Sequence, residues 1–307
     1  MNKRVYGVIG VSSIMANWNA DFSGYPKSTD KGDIFGSDKA MKYPIKKMWD
    51  DEGKKVLYIK SMHFGEKKKL VPRTLKERYE QIFNVQDLKK EDDSKSVLEN
   101  LFKAVDVKNF GATFAEGGNN ISITGAVQFG QGFNRYKDSE VQEQEIMSPF
   151  RNSKNEDSSQ SSLGRKIVSD EAHYFYPFVI NPLAYREYID LGVTEGYTEE
   201  DYIDFKKTAI SAVTAFNTNA KAGCENEFAL FMDTDMECYI PDMSEYIEFE
   251  KGEDGEKNRI TLTCTDMLGK IHDRIESVEI YYNPRTTDLE MEIEGAKYFD
   301  IVTMEEV

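Results

Sequence analysis

The sequence predicts an α+β fold, a β-sheet with helices on one face, enlarged by an insert and an acidic C-terminal region. Three observations carry this expectation. The chain opens on a Val/Ile-rich run, Val5–Ile14, that reads as a buried strand. Helical periodicity follows it in Lys39–Trp49 and returns in Thr198–Phe216. The intervening and later segments alternate apolar and polar residues, or are rich in aromatic side chains, as strands are.

The elements follow in order. Asn17–Gly36 is a long loop punctuated by Gly24, Pro26, Ser28, Asp30 and Gly32. Ser37 and Asp38 offer N-caps to a helix with Met41, Ile45 and Met48 on one face and Lys39, Lys42 and Lys46 on another. Pro44 lacks an N–H and must lie in the first turn or kink that helix. Val56–Met62 alternates loosely and reads as a second strand. Lys67–Val107 is a helical insert, whose best helix, Val97–Val105, carries a stripe of Leu98, Leu101, Phe102 and Val105. Ile121–Phe129 alternates as a strand, and its glycines mark bulges or the close approach of another backbone. Asn152–Ser162 holds no apolar residue and reads as a mobile loop. Ala172–Ile180 is an aromatic strand in which Pro177 points to an edge or a bulge. Thr198 and Asp201 resemble a capping box ahead of Tyr202, Phe205, Ala209, Ala212, Val213 and Phe216. Glu227–Met232 is a strand, and Tyr246–Glu250, Arg259–Thr265 and Val278–Tyr282 continue the pattern, with a hairpin at 252–258. Setting the insert aside, this order suits a ferredoxin-like sheet, which is also the RRM scaffold.

Bulk properties narrow the function. The chain has 307 residues, 39% hydrophobic and 31% charged, as a globular protein would. It reads as a single domain, 1–307, with insertions. No apolar run approaches the roughly 18 residues of a membrane span, and the short opening run is a first strand rather than a signal peptide. Cys224, Cys238 and Cys264 form no close pair, and His63, His173 and His272 are scattered, so reduced thiols in the cytoplasm are expected, with no metal and no cofactor. The net charge of −16 is unevenly spread. Residues 1–80 hold 17 Lys+Arg and 10 Asp+Glu, and residues 222–307 hold 7 and 23. A polyanion docks on local charge, because salt screens charges beyond roughly 10 Å, so an acidic total leaves an RNA groove open.

The chemical motifs are mostly negative. Gly130-Gln131-Gly132 lacks the third glycine of a dinucleotide loop, and there is no Walker lysine, nucleophile elbow or HExxH. Asp21, Asp30 and Asp33 lie in the first loop, where a carboxylate beside RNA could assist cleavage, although aspartate also simply favours turns. Lys39, Lys42 and Lys46 repeat along one helix face as phosphate contacts require, or are a solvated face. The same two readings apply to Lys67, Lys68 and Lys69. Arg135 at the end of the glycine-rich strand, and Arg165 and Lys166 beyond the polar loop, suit an arm closing over a polyanion.

Taken in order, RVYGVIGVSSIMANWNADFSGYP, SDKAMKYPIKKMW, VDVKNFGATFA, SITGAVQFGQGFNRY, SSLGRKIVSDEAHYFYPFVINP and TEEDYIDFKKTAISAV resemble the backbone subunits of CRISPR Cascade complexes, in the RAMP superfamily, most closely those of type I-B. The resemblance covers about residues 3–233. It implies an RRM-like palm, a helical finger insert at 63–109 and a hairpin thumb at 148–166. It also implies a non-catalytic scaffold whose copies stack head-to-tail on guide RNA, beside other Cascade subunits and away from membranes, so that target DNA pairs with the guide. By position, Lys39, Lys42 and Lys46 would contact phosphates, Gln128, Arg135, Arg165 and Lys166 would line the RNA path, and Phe150 and Leu163 would form the thumb wedge. Type III relatives cut RNA with a loop aspartate, and Asp21 or Asp33 would be that residue in the alternative reading of the chain as an endonuclease. The acidic strands 234–307 lie outside the matched motifs and are expected to face away from RNA or to meet the basic N-terminal region of the next copy.

Overall fold

A computed structural model describes residues 1–90, 93–151, 161–253, 255–290 and 293–307, without the side chains of 148–151 and 161–163. The chain begins with β1 (Arg4–Ala16), a short β2 (Phe35–Gly36) and α1 (Asp38–Asp51). The insert is a hairpin of β3 (Met62–Phe64) and β4 (Leu70–Pro72), then α2 (Leu75–Phe83), α3 (Ser94–Phe102) and α4 (Val105–Phe110). Next come β5 (Gly111–Phe114), β6 (Ile121–Thr124), β7 (Val127–Phe129), β8 (Gly132–Asn134), β9 (Val141–Arg151) and β10 (Ser161–Ile180). Helices α5 (Arg186–Asp190), α6 (Glu199–Ala209) and α7 (Ala212–Ala215) precede β11 (Cys224–Thr234). The C-terminal region holds β12 (Ile247–Glu250), β13 (Asn258–Leu262), α8 (Thr265–Gly269), β14 (Ile275–Tyr282), β15 (Thr287–Glu290) and β16 (Lys297–Asp300).

This is a mixed α/β fold around one large sheet. Its order is β16-β14-β11-β1-β10-β8-β2, with β7 and β9 also on β10. β1 is antiparallel to both neighbours, with Val8 opposite Pro177 on one side and Leu230 on the other. Because side chains alternate along a strand, β1 sends Val5, Ile9 and Val11 to one face and Tyr6 and Val8 to the other. The first set joins Met41, Ile45 and Trp49 of α1 and Tyr202 and Phe205 of α6. The second set, with Phe175, Phe228, Leu230 and Met232, is covered by Ile240, Met243, Ile247, Phe249, Ile260 and Leu262 of the C-terminal region. Both faces are therefore sealed, which is why β1 is almost continuously apolar. Each large side chain so buried contributes roughly 1.5–3 kcal/mol. Apolar burial on this scale holds the acidic region on its own sheet.

Local chemistry sets the helix starts. The Ser37 hydroxyl accepts from the Ala40 N–H, and Thr198 and Asp201 form a complete capping box. Several elements depart from the sequence reading. Residues 56–61 form no strand, because the buried Asp106 carboxylate accepts the Leu57 and Tyr58 N–H groups at 2.8 and 2.7 Å, donors a ladder would need. Lys67, Lys68 and Lys69 sit at the tip of the β3–β4 hairpin rather than in a helix, with Lys68 at φ 54°. The segment 121–129 is two strands broken at Gly125, where a Cβ would lie 2.2 Å from the Phe110 carbonyl carbon; close backbone approach is the reason for that glycine. Pro177 is neither at an edge nor in a bulge. It pairs Val8, and its free side faces the gap between β7 and β8, where its carbonyl accepts from Gly130 at 2.8 Å. Residues 198–216 split into α6 and α7. Pro44 is the seventh residue of α1, buried against the core and past the first turn. Residues 152–160 of the polar loop lie outside the described residues.

Candidate nucleic-acid interface

α1 is positioned from three sides. Its apolar face packs Met41, Pro44, Ile45 and Trp49 inward. Asn19 accepts from the Ser37 N–H at 2.8 Å, tying the first loop to the helix start. Gly36 permits the close packing there, since a Cβ would strike the Tyr176 hydroxyl and the Trp18 indole. Arg78 of α2 reaches Asp50 at 2.8 Å and the Val56 carbonyl, so the insert is braced against the same helix.

The three α1 lysines differ in state. Lys39 is exposed and, among the described residues, has no ion-pair partner. Lys42 pairs with Asp38 at 3.0 Å and lies 5.5 Å from the Phe110 ring centroid. Lys46 is partly buried, and no hydrogen bond or ion pair reaches it among the described residues. Burial lowers its pKa, partly offset by the buried Asp106 carboxylate and reinforced by the Lys42 charge. A desolvated ammonium with no direct counter-ion gains from an arriving anion. Burial in turn raises the Asp106 pKa, against the backbone hydrogen bonds from Leu57 and Tyr58.

The remaining candidates do not converge on α1. Gln128 is exposed, donates to the Gly125 carbonyl at 2.8 Å, and stands opposite Val179 on the C-terminal side of the sheet. Arg135 reaches the Ser244 carbonyl at 2.7 Å and Glu245 at 3.0 Å, both in the acidic region. Gln128 and Arg135 thus lie on the face opposite the α1 lysines. Arg165 and Lys166 stand on the β9–β10 hairpin, opposite Glu145 and Gln144. Arg165 is exposed and 3.5 Å from Glu143, whose other oxygen accepts from Tyr25. The hairpin therefore touches the first loop, and Asn17 donates to the Ile167 carbonyl at 3.1 Å. Phe150 and Leu163 have described backbones, but their side chains lie outside the described residues.

Asp21 accepts from the Ser23 and Tyr25 N–H groups, and Asp33 from Thr29, so both organise turns. Among the described residues no cluster of His, Cys, Asp and Glu could hold a metal ion. All three cysteines are buried and free. No helix among the described residues is long and apolar enough to cross a membrane.

Two features escaped the sequence reading. Lys221 donates to the Asn17 carbonyl at 2.7 Å and to that of Trp18, and sits over the Trp18 ring at 5.4 Å, locking the first loop. Burial lowers its pKa. His173, 1% exposed, lies 2.7 Å from Glu227 and 3.1 Å from Glu171, and stacks on Phe249 at 3.8 Å. Burial pulls its pKa down, but the two carboxylates outweigh burial and raise it to about 9. The His173 hydrogen bond, opposed by burial, draws Glu171 down to about 2. Glu171 stands two positions from His173 on one strand, a local spacing, but nothing in the sequence marks Glu227, 54 positions on, or the Lys221 contacts.

The fold and this site define a mixed α/β protein with a row of three lysines on the helix after its first loop and a long hairpin of β9 and β10. Residues 3–265 match the family model of the CRISPR-associated protein Cas7, and the chain belongs to that family. No curated protein matches it by sequence. A chain of a solved "CRISPR RNA-guided surveillance complex, pre-nicking" has a TM-score of 0.54 at 13% identity, over 98% of both chains. A chain of a "CRISPR RNA-guided surveillance complex" has a TM-score of 0.46 at 12% identity, over 92% of this chain and 91% of that one. The first likeness is one of fold.

Proposed function

We propose that this chain is the backbone subunit of a type I CRISPR surveillance complex, of the I-B kind. It holds guide RNA by its phosphates and stacks head-to-tail with its own copies, beside other subunits of the complex. Sequence is left to base pairing between guide and target DNA. The order β11-β1-β10-β7, with α1 and α6 as crossovers, supports a ferredoxin-like, RRM-like palm. The insert 63–109 is the finger and 148–166 the thumb. The subunit is non-catalytic and acts by electrostatic capture and steric division of the hybrid.

The observation that carries this reading is the α1 lysine row, above all Lys46, partly desolvated and without a direct counter-ion. Lys39, Lys42 and Lys46 contact phosphates; Arg165 and Lys166 follow on the hairpin. Gln128 and Arg135, on the opposite face, contact RNA only where its path crosses the sheet edge. The test is purification with the neighbouring subunits and a guide array, followed by extraction of nucleic acid. Discrete RNA of repeat-spacer length is expected. Replacing Lys39, Lys46 and Arg165 by Ala should remove it and flatten the salt dependence by about 0.7 in log–log slope per lost contact. RNA-free protein under those conditions would overturn the reading. Metal-dependent target-RNA cleavage lost in Asp21→Ala or Asp33→Ala would favour the endonuclease instead.

A further inference from the structure

The β3–β4 hairpin leaves one face uncovered. Its register places Met62 opposite Pro72 and Phe64 opposite Leu70. These four share a face, because side chains two apart on a strand point the same way. Phe64 is 74% exposed, Leu70 60% and Met62 39%. The other face is turned toward α2, with His63 3.8 Å from Glu77. The tip carries Lys67, Lys68 and Lys69, all exposed and without ion pairs among the described residues, against Glu66 alone. A strand pair with an apolar face and a cationic tip calls for an acidic surface with apolar ground.

The chain carries such a surface on the other side of its sheet. A groove of about 950 Å³ runs between Arg135–Asp138 and Glu245–Glu253. Tyr136 is its half-buried apolar side chain, and Ile247 and Phe249 lie buried beneath its floor. Asp138, Glu245, Glu248, Glu250 and Glu253 outnumber Arg135, Lys137 and Lys251. Arg135 and Lys251 are already held by Glu245 and by Glu171, and Glu250 is held by Arg259, which leaves Asp138, Glu248 and Glu253 against Lys137 and a negative free charge in the groove. The hairpin belongs to the insert on the helical side of the sheet, and the groove to the C-terminal region on the opposite side.

We infer that the β3–β4 hairpin of one copy docks into the Arg135–Asp138/Glu245–Glu253 groove of the next. This rests on the head-to-tail stacking proposed above and names its contact. Two different patches that pair heterologously propagate into an open row instead of closing as a dimer. One hairpin buries far less than the roughly 1,600 Å² of a standard interface, so the contact is weak alone and is completed when guide RNA holds neighbouring copies together.

Glu66→Cys and Glu253→Cys in one chain test this, because the three native cysteines are buried. With guide RNA and mild oxidation, a disulfide-linked ladder of multimers is expected, reversed by dithiothreitol and absent from either single variant. Lys67→Glu, Lys68→Glu and Lys69→Glu together should reduce the ladder about tenfold at physiological salt, and Asp138→Lys with Glu248→Lys in a second set of chains that keep Glu253→Cys should restore it in mixed assembly. Dimers from Glu66→Cys alone would mean a symmetric hairpin contact and overturn the proposal. So would RNA-bound multimers without cross-links, or a triple-lysine variant that loses RNA while its cross-linking persists; both leave the scaffold reading intact. Absence of any RNA-dependent multimer overturns the scaffold reading as well.

Discussion

Replacing His173 by Gln tests the charged cluster within the sheet on which its acidic cover rests. The imidazolium bridges Glu227 on β11 and Glu171 on β10, and lies against Phe249 of β12. Tyr136 and Lys251 complete its surroundings, with Lys251 on Glu171. Its pKa, raised from 6.5 to about 9, implies roughly 3 kcal/mol of stabilisation where both folded and unfolded imidazoles are protonated. That contribution is complete below about pH 6.5 and is lost as the pH rises through about 9. Glutamine keeps hydrogen-bonding capacity and removes the charge. Urea denaturation should therefore show His173→Gln about 3 kcal/mol less stable than the parent at pH 6. The gap should close to under about 1 kcal/mol at pH 10, because there the parent has lost its charge too. An equal gap at both pH values would refute the reasoning. So would an NMR titration placing the His173 pKa at or below 6.5.

Other perturbations probe separate links. Asp106→Ala removes the acceptor for the Leu57 and Tyr58 N–H groups and should cost about 2–4 kcal/mol, read from the urea midpoint. Thr198→Ala breaks the capping box and should cost about 1 kcal/mol, with the loss of protection from hydrogen exchange confined to the start of α6. Gly125→Ala places a Cβ 2.2 Å from the Phe110 carbonyl carbon and 2.4 Å from the Gly111 nitrogen; a loss of about 1–3 kcal/mol in thermal or urea unfolding is expected.

What the sequence determined by itself is what local periodicity and turn chemistry encode. The apolar run of β1, the stripes of α1 and α6, the Ser37 cap and the Thr198–Asp201 box all form from residues within a few positions of one another. The lysine row on α1 was legible for the same reason, since a 3.6-residue repeat assigns faces without knowledge of the partner. The family was legible too, because its motifs keep their order. Partners distant in the chain were decided only by the tertiary structure. Residues 56–61 lost their strand to a carboxylate 49 positions away from Leu57, and Arg135 turned to Glu245, 110 positions on. Pro177 sits inside the sheet because two short strands leave a gap beside it. Which sheet face is covered, and hence that Gln128 and Arg135 part from the α1 lysines, depends on where the C-terminal region lands. Its apolar side chains, with Phe249 stacked on His173 and Lys251 paired to Glu171, hold it there, and no local repeat records a contact made across the sheet.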